Sequence, residues 1–313
     1  MKKIVVIGNG KMAIDCIKIL QEQQQAEVVL VVGDPENVSA KMLQAYCENN
    51  SIPLVESSKI NSSSVLDRIR ESGTNLIFNI NSYKIIKKDL MNIPEYGVIN
   101  FHNGPLPKYR GVNICSWCLI NGEKEHGVAW HYVDDGVDTG NIIGVRLFKV
   151  EENATAISLI MKSINEGILL FKEIVPNIIN DRVKPIVQDE SKASYYSKKD
   201  IPFEGMVNYE WDFQRIDSFI RGLCFYPMKN DFVYPSSTFN GKKFFFSSIR
   251  KESSNEQKVK GGTIVKIDES RMYFSISDSI ISVNQLFNSD LKKIKINEFV
   301  KEYGIVEGQI LGK

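Results

Sequence analysis

The amino-acid sequence predicts an α/β protein: a doubly wound, mostly parallel (Rossmann-like) sheet followed by a smaller C-terminal domain that is β-barrel-like (OB-like). Three observations carry the prediction. Over residues 3–179, short apolar runs bounded by turn residues alternate with segments of helical period, the pattern of strand–helix–strand units. Past residue 230 the pattern changes to short strands with turns between them, which suits a small barrel. Between the two, QDESKASYYSKKD (188–200) is polar and reads as a linker. The expected organisation is one domain over 1–187, a linker over 188–204 and a β-rich domain over 205–313.

Taken in order, KIVVIG (3–8) reads as a buried strand, and Asn9-Gly10-Lys11 turns the chain into a helix carrying Met12, Ile14, Cys16, Ile17 and Leu20. VVLVVG (28–33) is a second strand. Gly8 and Gly10 suggest a dinucleotide fingerprint, but position 13 is Ala and Gly33-Asp34 runs straight into Pro35, so NAD is not expected. A helix N-terminus beside Lys11 still suits a phosphate. Helices are expected over 38–50 and 62–72 around a short strand, IPLVE (52–56), and LIFNIN (76–81) is the next strand. VINFH (98–102) follows the turn Pro94–Gly97. Residues 112–120 read as a helix covering that strand, GVAWHYVDD (127–135) and NIIGVRLFKV (141–150) as strands. Residues 155–179 form a long helix with apolar positions 157, 160, 161, 164, 168, 171, 174 and 178 turned to the sheet. In the C-terminal part a helix within MVNYEWDFQRIDSFIRGLCFYP precedes the strands DFVYPSSTF, KKFFFSSIRK, GGTIVKID, RMYFSISD and SIISVNQLF, and IKINEFVKEYGI closes as a helix. Phe244-Phe245-Phe246 suits either a barrel core or a contact between two subunits, which leaves a homodimer open.

A chain of 313 residues with 43% hydrophobic content can bury a sizeable core. Its formal net charge of +1 provides no basic field for a polyanion. No run reaches the ~18 apolar residues of a membrane span, and the apolar run of MKKIVVIGNGKM is too short for a signal peptide. Neither nucleic acid nor a membrane is therefore expected as a partner, and the expected location is cytoplasmic. Cys115 and Cys118 form a C-x-x-C with no second half, so they read as reduced, packed cysteines and no metal is expected.

The chemistry concentrates in residues 97–140. Strand alternation puts Asn100 and His102 on one face of VINFH and Phe101 on the other. Asn103-Gly104-Pro105-Leu106-Pro107 ends the strand, so the polar pair sits at its carboxyl end, where open α/β sheets bind ligands. GVAWHYVDD ends in the loop Asp135–Gly140, tight enough to return a carboxylate over that end. His131 reads as a hydrogen-bonded wall or core residue, His126 as solvated in the charged turn NGEKEH, and Arg110 as either an anion ligand or a structural donor.

HNGPLPKYRG (102–111) followed by GVAWHYVDDGVDTG (127–140) resembles the folate-dependent formyltransferases, a family that includes methionyl-tRNA, sugar N-formyl and glycinamide ribonucleotide enzymes. The resemblance implies a catalytic trio of Asn100, His102 and Asp138 and 10-formyltetrahydrofolate as formyl donor. It implies a folate pocket formed by 82–86, with Tyr83, Ile85 and Ile86, and by Asp134, Gly136, Val137 and Thr139 of the second loop. Formyl transfer to an amine passes through a tetrahedral species with an oxyanion, for which Asn100 has the donor amide, while His102 and Asp138 are placed to manage protons.

For the acceptor, the resemblance implies a nucleotide-linked amino sugar. Methionyl-tRNA enzymes of the family carry a basic insertion after the second strand, whereas this chain has only DPENVSAKMLQAYCENNSIPLVE there. YYSKKDIPFEGMVNYEW resembles a run of the sugar N-formyltransferases. Lys11 and Lys84 are then candidates for the nucleotide diphosphate, and Asn103 and Tyr109 for the sugar. A methionyl-tRNA acceptor, or a folate or nucleotide-sugar binding protein without catalysis, is the alternative.

Overall fold

A computed structural model describes residues 1–82 and 84–312 of the chain. The first two-thirds builds β1 (Lys2–Gly8), α1 (Gly10–Gln21), β2 (Ala26–Gly33), α2 (Ala40–Asn49), β3 (Leu54–Glu56), α3 (Ser63–Glu71), β4 (Leu76–Ile80), the single turn α4 (Lys88–Met91), β5 (Val98–His102) and β6 (Arg110–Gly111). It continues through α5 (Ile114–Ile120), β7 (Glu125–Tyr132), β8 (Ile142–Lys149), α6 (Ala156–Ile179) and β9 (Tyr195–Tyr196). Seven of these strands form one sheet in the order β3-β2-β1-β4-β5-β7-β8. The first five pair in parallel, and β7 and β8 join antiparallel at the edge, so the sheet is mixed.

That change of direction positions the site. The parallel register sets Asn79 of β4 beside Asn100 of β5, and the antiparallel register sets His131 of β7 on the other side of Asn100. Three polar side chains from three strands thus meet in one row across the sheet.

Phe101 turns to the opposite face, as alternation requires, and there it meets α6. The buried stripe of α6 differs from the expected one. Ser163, Gly167, Leu170, Phe171 and Val175 are buried, whereas Met161 is exposed. The helix approaches the sheet through its small residues: a Cβ on Gly167 would lie 2.2 Å from the Phe101 ring, and the Gly167 carbonyl accepts from the Trp130 indole N–H (3.0 Å). Apolar periodicity marks bulky positions, but close packing here selects the small ones.

The chain divides into two compact units, Met1–Gly111, Glu125–Lys149 and Ile160–Tyr196 in the first, and Val112–Lys124, Val150–Leu159 and Ser197–Lys313 in the second. Two segments fall elsewhere than the sequence suggests. Residues 188–196, expected within the linker, belong to the first unit, where β9 pairs with β6. Residues 112–124 belong to the second, and α5 packs on α7 (Phe213–Leu223), where Gly222 lets the backbone of Ser116 approach.

The second unit carries β10 (Ser236–Phe239), β11 (Lys242–Phe246), β12 (Arg250–Ser254), β13 (Ile264–Ile267), β14 (Met272–Ser275), β15 (Ser279–Val283), β16 (Gln285–Phe287), β17 (Lys293–Lys295) and α8 (Ile296–Tyr303). They form two antiparallel four-stranded sheets, β10-β11-β16-β17 and β12-β15-β14-β13, over one core containing Phe219, Phe244, Phe246, Phe274 and Phe299. Phe244 and Phe246 are buried and Phe245 lies against Tyr234, so the aromatic run packs within its own unit. No helix among the described residues is long and apolar enough to cross a membrane.

Candidate active site

The row across the sheet has a fixed hydrogen-bond polarity. His131 Nδ1 lies 2.8 Å from the carbonyl of Tyr132, which only accepts, so that nitrogen carries a proton and donates. His131 Nε2 then accepts from Asn100 Nδ2 (3.0 Å), and Asn100 Oδ1 accepts from Asn79 Nδ2 (2.7 Å). One N–H of the Asn100 amide is left over, and Asn79 Oδ1 is buried without a partner.

Asp138 comes to this row from the loop after β7. Its backbone is left-handed (φ 55°), and its carboxylate accepts from the Gly111 N–H (2.8 Å). Oδ1 lies 3.4 Å from His131 Nε2 and Oδ2 lies 3.4 Å from His102 Nδ1. Burial alone would raise its pKa, but His102, His131 and the Gly111 N–H together hold the carboxyl well below the usual range, so it is ionised.

His102 is buried, with Nε2 2.6 Å from the Tyr109 carbonyl and donating to it. Burial pushes its pKa down and the neighbouring His131 adds to this, against the pull of Asp138 and the Tyr109 carbonyl. At neutral pH the ring is therefore uncharged, with its free nitrogen, Nδ1, facing Asp138. The 3.4 Å gap exceeds the length of a charge-assisted hydrogen bond. The pair is a base with an acceptor on each side of the imidazole, ready to hold a proton once one arrives.

The remaining sequence-predicted residues divide. Asp134 ties its own loop, with Oδ1 accepting from the Gly136 N–H (3.1 Å) and the Thr139 hydroxyl (2.5 Å), while Val137 is exposed. Ile85 is exposed, its carbonyl held by Asn61 (2.8 Å), and Ile86 packs on the core beside α3. Tyr83 lies outside the described residues. Lys84 pairs with Asp34 (2.9 Å) and Lys11 with Asp15 one turn along its helix. Asn103 has a buried Oδ1 without a partner. Tyr109 is buried with its ring stacked on Tyr196, so its backbone carbonyl and not its ring addresses His102.

His131 is buried and hydrogen-bonded, as the sequence suggests, and the β5–β7 register sets it at the centre of the row. The other histidine departs from expectation. His126 is buried, not solvated, because β7 already begins at Glu125 and alternation turns the ring inward against Phe148, where Nε2 donates to the Asn103 carbonyl (2.9 Å). Burial lowers its pKa from 6.5 to about 4. Between these values the unfolded chain binds a proton that the folded chain refuses, so stability falls as pH drops through 6.5 and levels off near 4. The loss is on the order of 3 kcal/mol. Denaturant unfolding at both ends of that window checks this, and His126→Gln, which keeps a donor for Asn103, should flatten the dependence.

No group of three or more His, Cys, Asp or Glu side chains among the described residues is placed to hold a metal ion. Arg110, in contrast, is bound by Gln188 and Glu190, residues that sequence reasoning left in the linker.

Comparison with known proteins adds to this geometry. Residues 2–171 match the formyl transferase family and residues 201–304 match the formyl transferase C-terminal domain. Methionyl-tRNA formyltransferases from Ruminiclostridium cellulolyticum (25% identical over 320 residues) and Clostridioides difficile (27% over 318 residues) each align with 99% of this chain and 100% of their own length. Among solved structures, an N-formyltransferase from Helicobacter canadensis in complex with folinic acid and dTDP-3-aminofucose has a TM-score of 0.67 at 21% identity, covering 91% of this chain and 99% of that one. WlaRD, a sugar 3N-formyl transferase solved with dTDP and 5-N-formyl-THF, has a TM-score of 0.66 at 24% identity, covering 90% and 97%. At these identities the structural likeness is one of fold.

Proposed function

This chain belongs to the formyl transferase family, and on that premise we propose that it moves the formyl group of 10-formyltetrahydrofolate to the primary amine of a nucleotide-linked amino sugar. The observation that carries the chemistry is the convergence of Asn100, His102 and Asp138 at the carboxyl end of β5. The site suits a formyl donor: Asn100 has an unused N–H, an ionised carboxylate lies beside a neutral imidazole, and Ile85 and Val137 expose apolar side chains that no core claims. When bound, the folate supplies the formyl carbon and, in its departing nitrogen, the destination of the amine's proton.

The chain's own groups do the rest. Asn100 turns its free N–H to the oxygen that gains negative charge as the amine adds, and the Asn79 donor on one side and the His131 acceptor on the other fix the amide's orientation beforehand. Asp138 and His102 Nδ1 take the proton that the nitrogen sheds. The Tyr109 carbonyl holds the opposite N–H of the ring, so a charged imidazole is stabilised at both nitrogens. Return of that proton to the departing nitrogen completes transfer.

The amino-sugar acceptor is supported by the chain's near-zero net charge and by the short, acidic connection between β2 and β3, where Lys41 is the single basic residue against Asp34, Glu36 and Glu48. The two structural neighbours, solved with dTDP or a dTDP-amino sugar, agree with it. The end-to-end match to methionyl-tRNA formyltransferases favours tRNA as the second reading. Titration calorimetry separates them. The first reading expects dTDP or UDP to bind with an affinity little changed between about 50 and 200 mM salt; binding of tRNA alone, with an affinity that collapses over that range, would establish the second.

A further inference from the structure

Residues 188–196 run as a strap across the two loops of the site. Arg110 N–H donates to the Ser194 carbonyl (2.8 Å) and Tyr109 N–H to the Ser194 hydroxyl (2.8 Å). At the head of the strap Gln188 is buried, and every hydrogen-bonding position of its amide is filled. Nε2 donates to the carbonyls of Asp138 (2.7 Å) and Gly140 (2.7 Å), and Oε1 accepts from Arg110 Nε (3.0 Å) and Nη2 (2.8 Å). Arg110 is itself buried and held from the surface by both oxygens of Glu190 (2.7 and 2.9 Å).

We propose that Gln188 is a positioning residue for formyl transfer: coupled to Arg110, it holds the backbone of Asp138 in the left-handed conformation that aims the carboxylate at His102. The proposal rests on the formyl-transfer reading given above. Asp138 sits at φ 55°, a conformation that Asp and Asn adopt more readily than other residues with a side chain but that still gains from fixed backbone partners. Asp134 ties the first half of the loop, through Gly136 and Thr139, but neither of those bonds reaches the Asp138 backbone. The neighbour of Arg110, Gly111, grips the carboxylate through its N–H, so one short strand holds Asp138 at its side chain directly and at its backbone through Gln188. The groups facing His102 are Asp138, His131 and the Tyr109 carbonyl, with His126 in electrostatic reach; His131 and His126 stand on β7, whereas Asp138 and Tyr109 stand on the two loops that the strap ties.

Gln188→Met keeps the length of the side chain and removes all four bonds. The expected result is a fall in kcat of about ten- to a hundredfold with KM for donor and acceptor within about twofold, as misaligned reacting groups produce. His102, one of only three histidines and hence readily followed by NMR of labelled rings, should titrate at lower pH than in the wild type because Asp138 no longer supports its charge. Glu190→Gln, at the exposed end of the chain of contacts, should move both readouts in the same direction by a smaller amount and serves if Gln188→Met does not fold. Unchanged kcat and His102 titration, with only a lowered Tm, would overturn the proposal. Asp138→Asn run in parallel distinguishes the failures: an inactive Asp138→Asn beside a fully active Gln188→Met sinks the positioning role alone. Wild-type protein without formyl transfer sinks the parent reading, and the His102 titration then still decides whether Gln188 places the carboxylate.

Discussion

His102→Ala is expected to lower kcat for formyl transfer by about 10²- to 10⁴-fold, the range for loss of a positioned acid–base group. The ring is the one group that links the Tyr109 carbonyl to Asp138, and no other imidazole substitutes for it: His131 Nδ1 is committed to the Tyr132 carbonyl and its Nε2 to Asn100. Truncation also removes the buried hydrogen bond from His102 Nε2 to the Tyr109 carbonyl, at a stability cost of about 1–3 kcal/mol. Circular dichroism should therefore report a folded protein with a lowered Tm. Wild-type-like turnover from folded His102→Ala would remove the imidazole from the mechanism. In the wild type the same ring sets the acid limb of the pH–rate profile. Since burial lowers its pKa, activity should persist below pH 6.5 and fall only as the neutral form is lost at more acidic values.

Asp138→Asn is the second large effect, an expected loss of about 10²-fold or more in kcat with little change in fold. Asparagine tolerates the left-handed backbone at this position and can still accept from the Gly111 N–H. What disappears is the negative charge. Asp138 opposes the burial that depresses the His102 pKa, so the acid limb should move to still lower pH in the variant. Stability gives an independent readout. The folded-state pKa of Asp138 lies below its unfolded value of 3.8, so its contribution is present above that pH and is lost as pH falls towards the folded value. Asp138→Asn should remove this part of the acid sensitivity. An unchanged kcat at neutral pH would show that the carboxylate is a loop anchor and nothing more.

The parts of the site legible in the sequence are those fixed by local periodicity. Alternation along VINFH placed Asn100 and His102 together, and the Pro-rich stop after them marked the strand's carboxyl end. The tight loop ending at Gly140 announced a returning carboxylate. What escaped depends on register and on contacts distant in sequence. His131 enters the row because β7 pairs antiparallel with β5, and Asn79 enters because β4 pairs parallel with it. Gln188 sits in a polar stretch whose composition suggests solvent, yet it is drawn inward by a buried guanidinium 78 positions earlier. The same holds for His126, which turns inward because β7 begins at Glu125, two residues before the strand expected from Gly127. In the fold, alternation of elements disclosed the sheet, whereas the stripe of α6 misled because Ser163 and Gly167, poor in apolar surface, are the residues that approach the sheet.

An acceptor screen read by mass spectrometry tests formyl transfer to an amino sugar most directly. The protein would be incubated with 10-formyltetrahydrofolate and, in separate reactions, with UDP- or dTDP-linked 3-amino and 4-amino sugars and with methionyl-tRNA. The expected product is a formylated amino sugar that is absent with His102→Ala. Formylated methionyl-tRNA with every amino sugar untouched would contradict it, and would mean that a chain without a basic insertion after β2 and with a net charge of +1 still recognises tRNA.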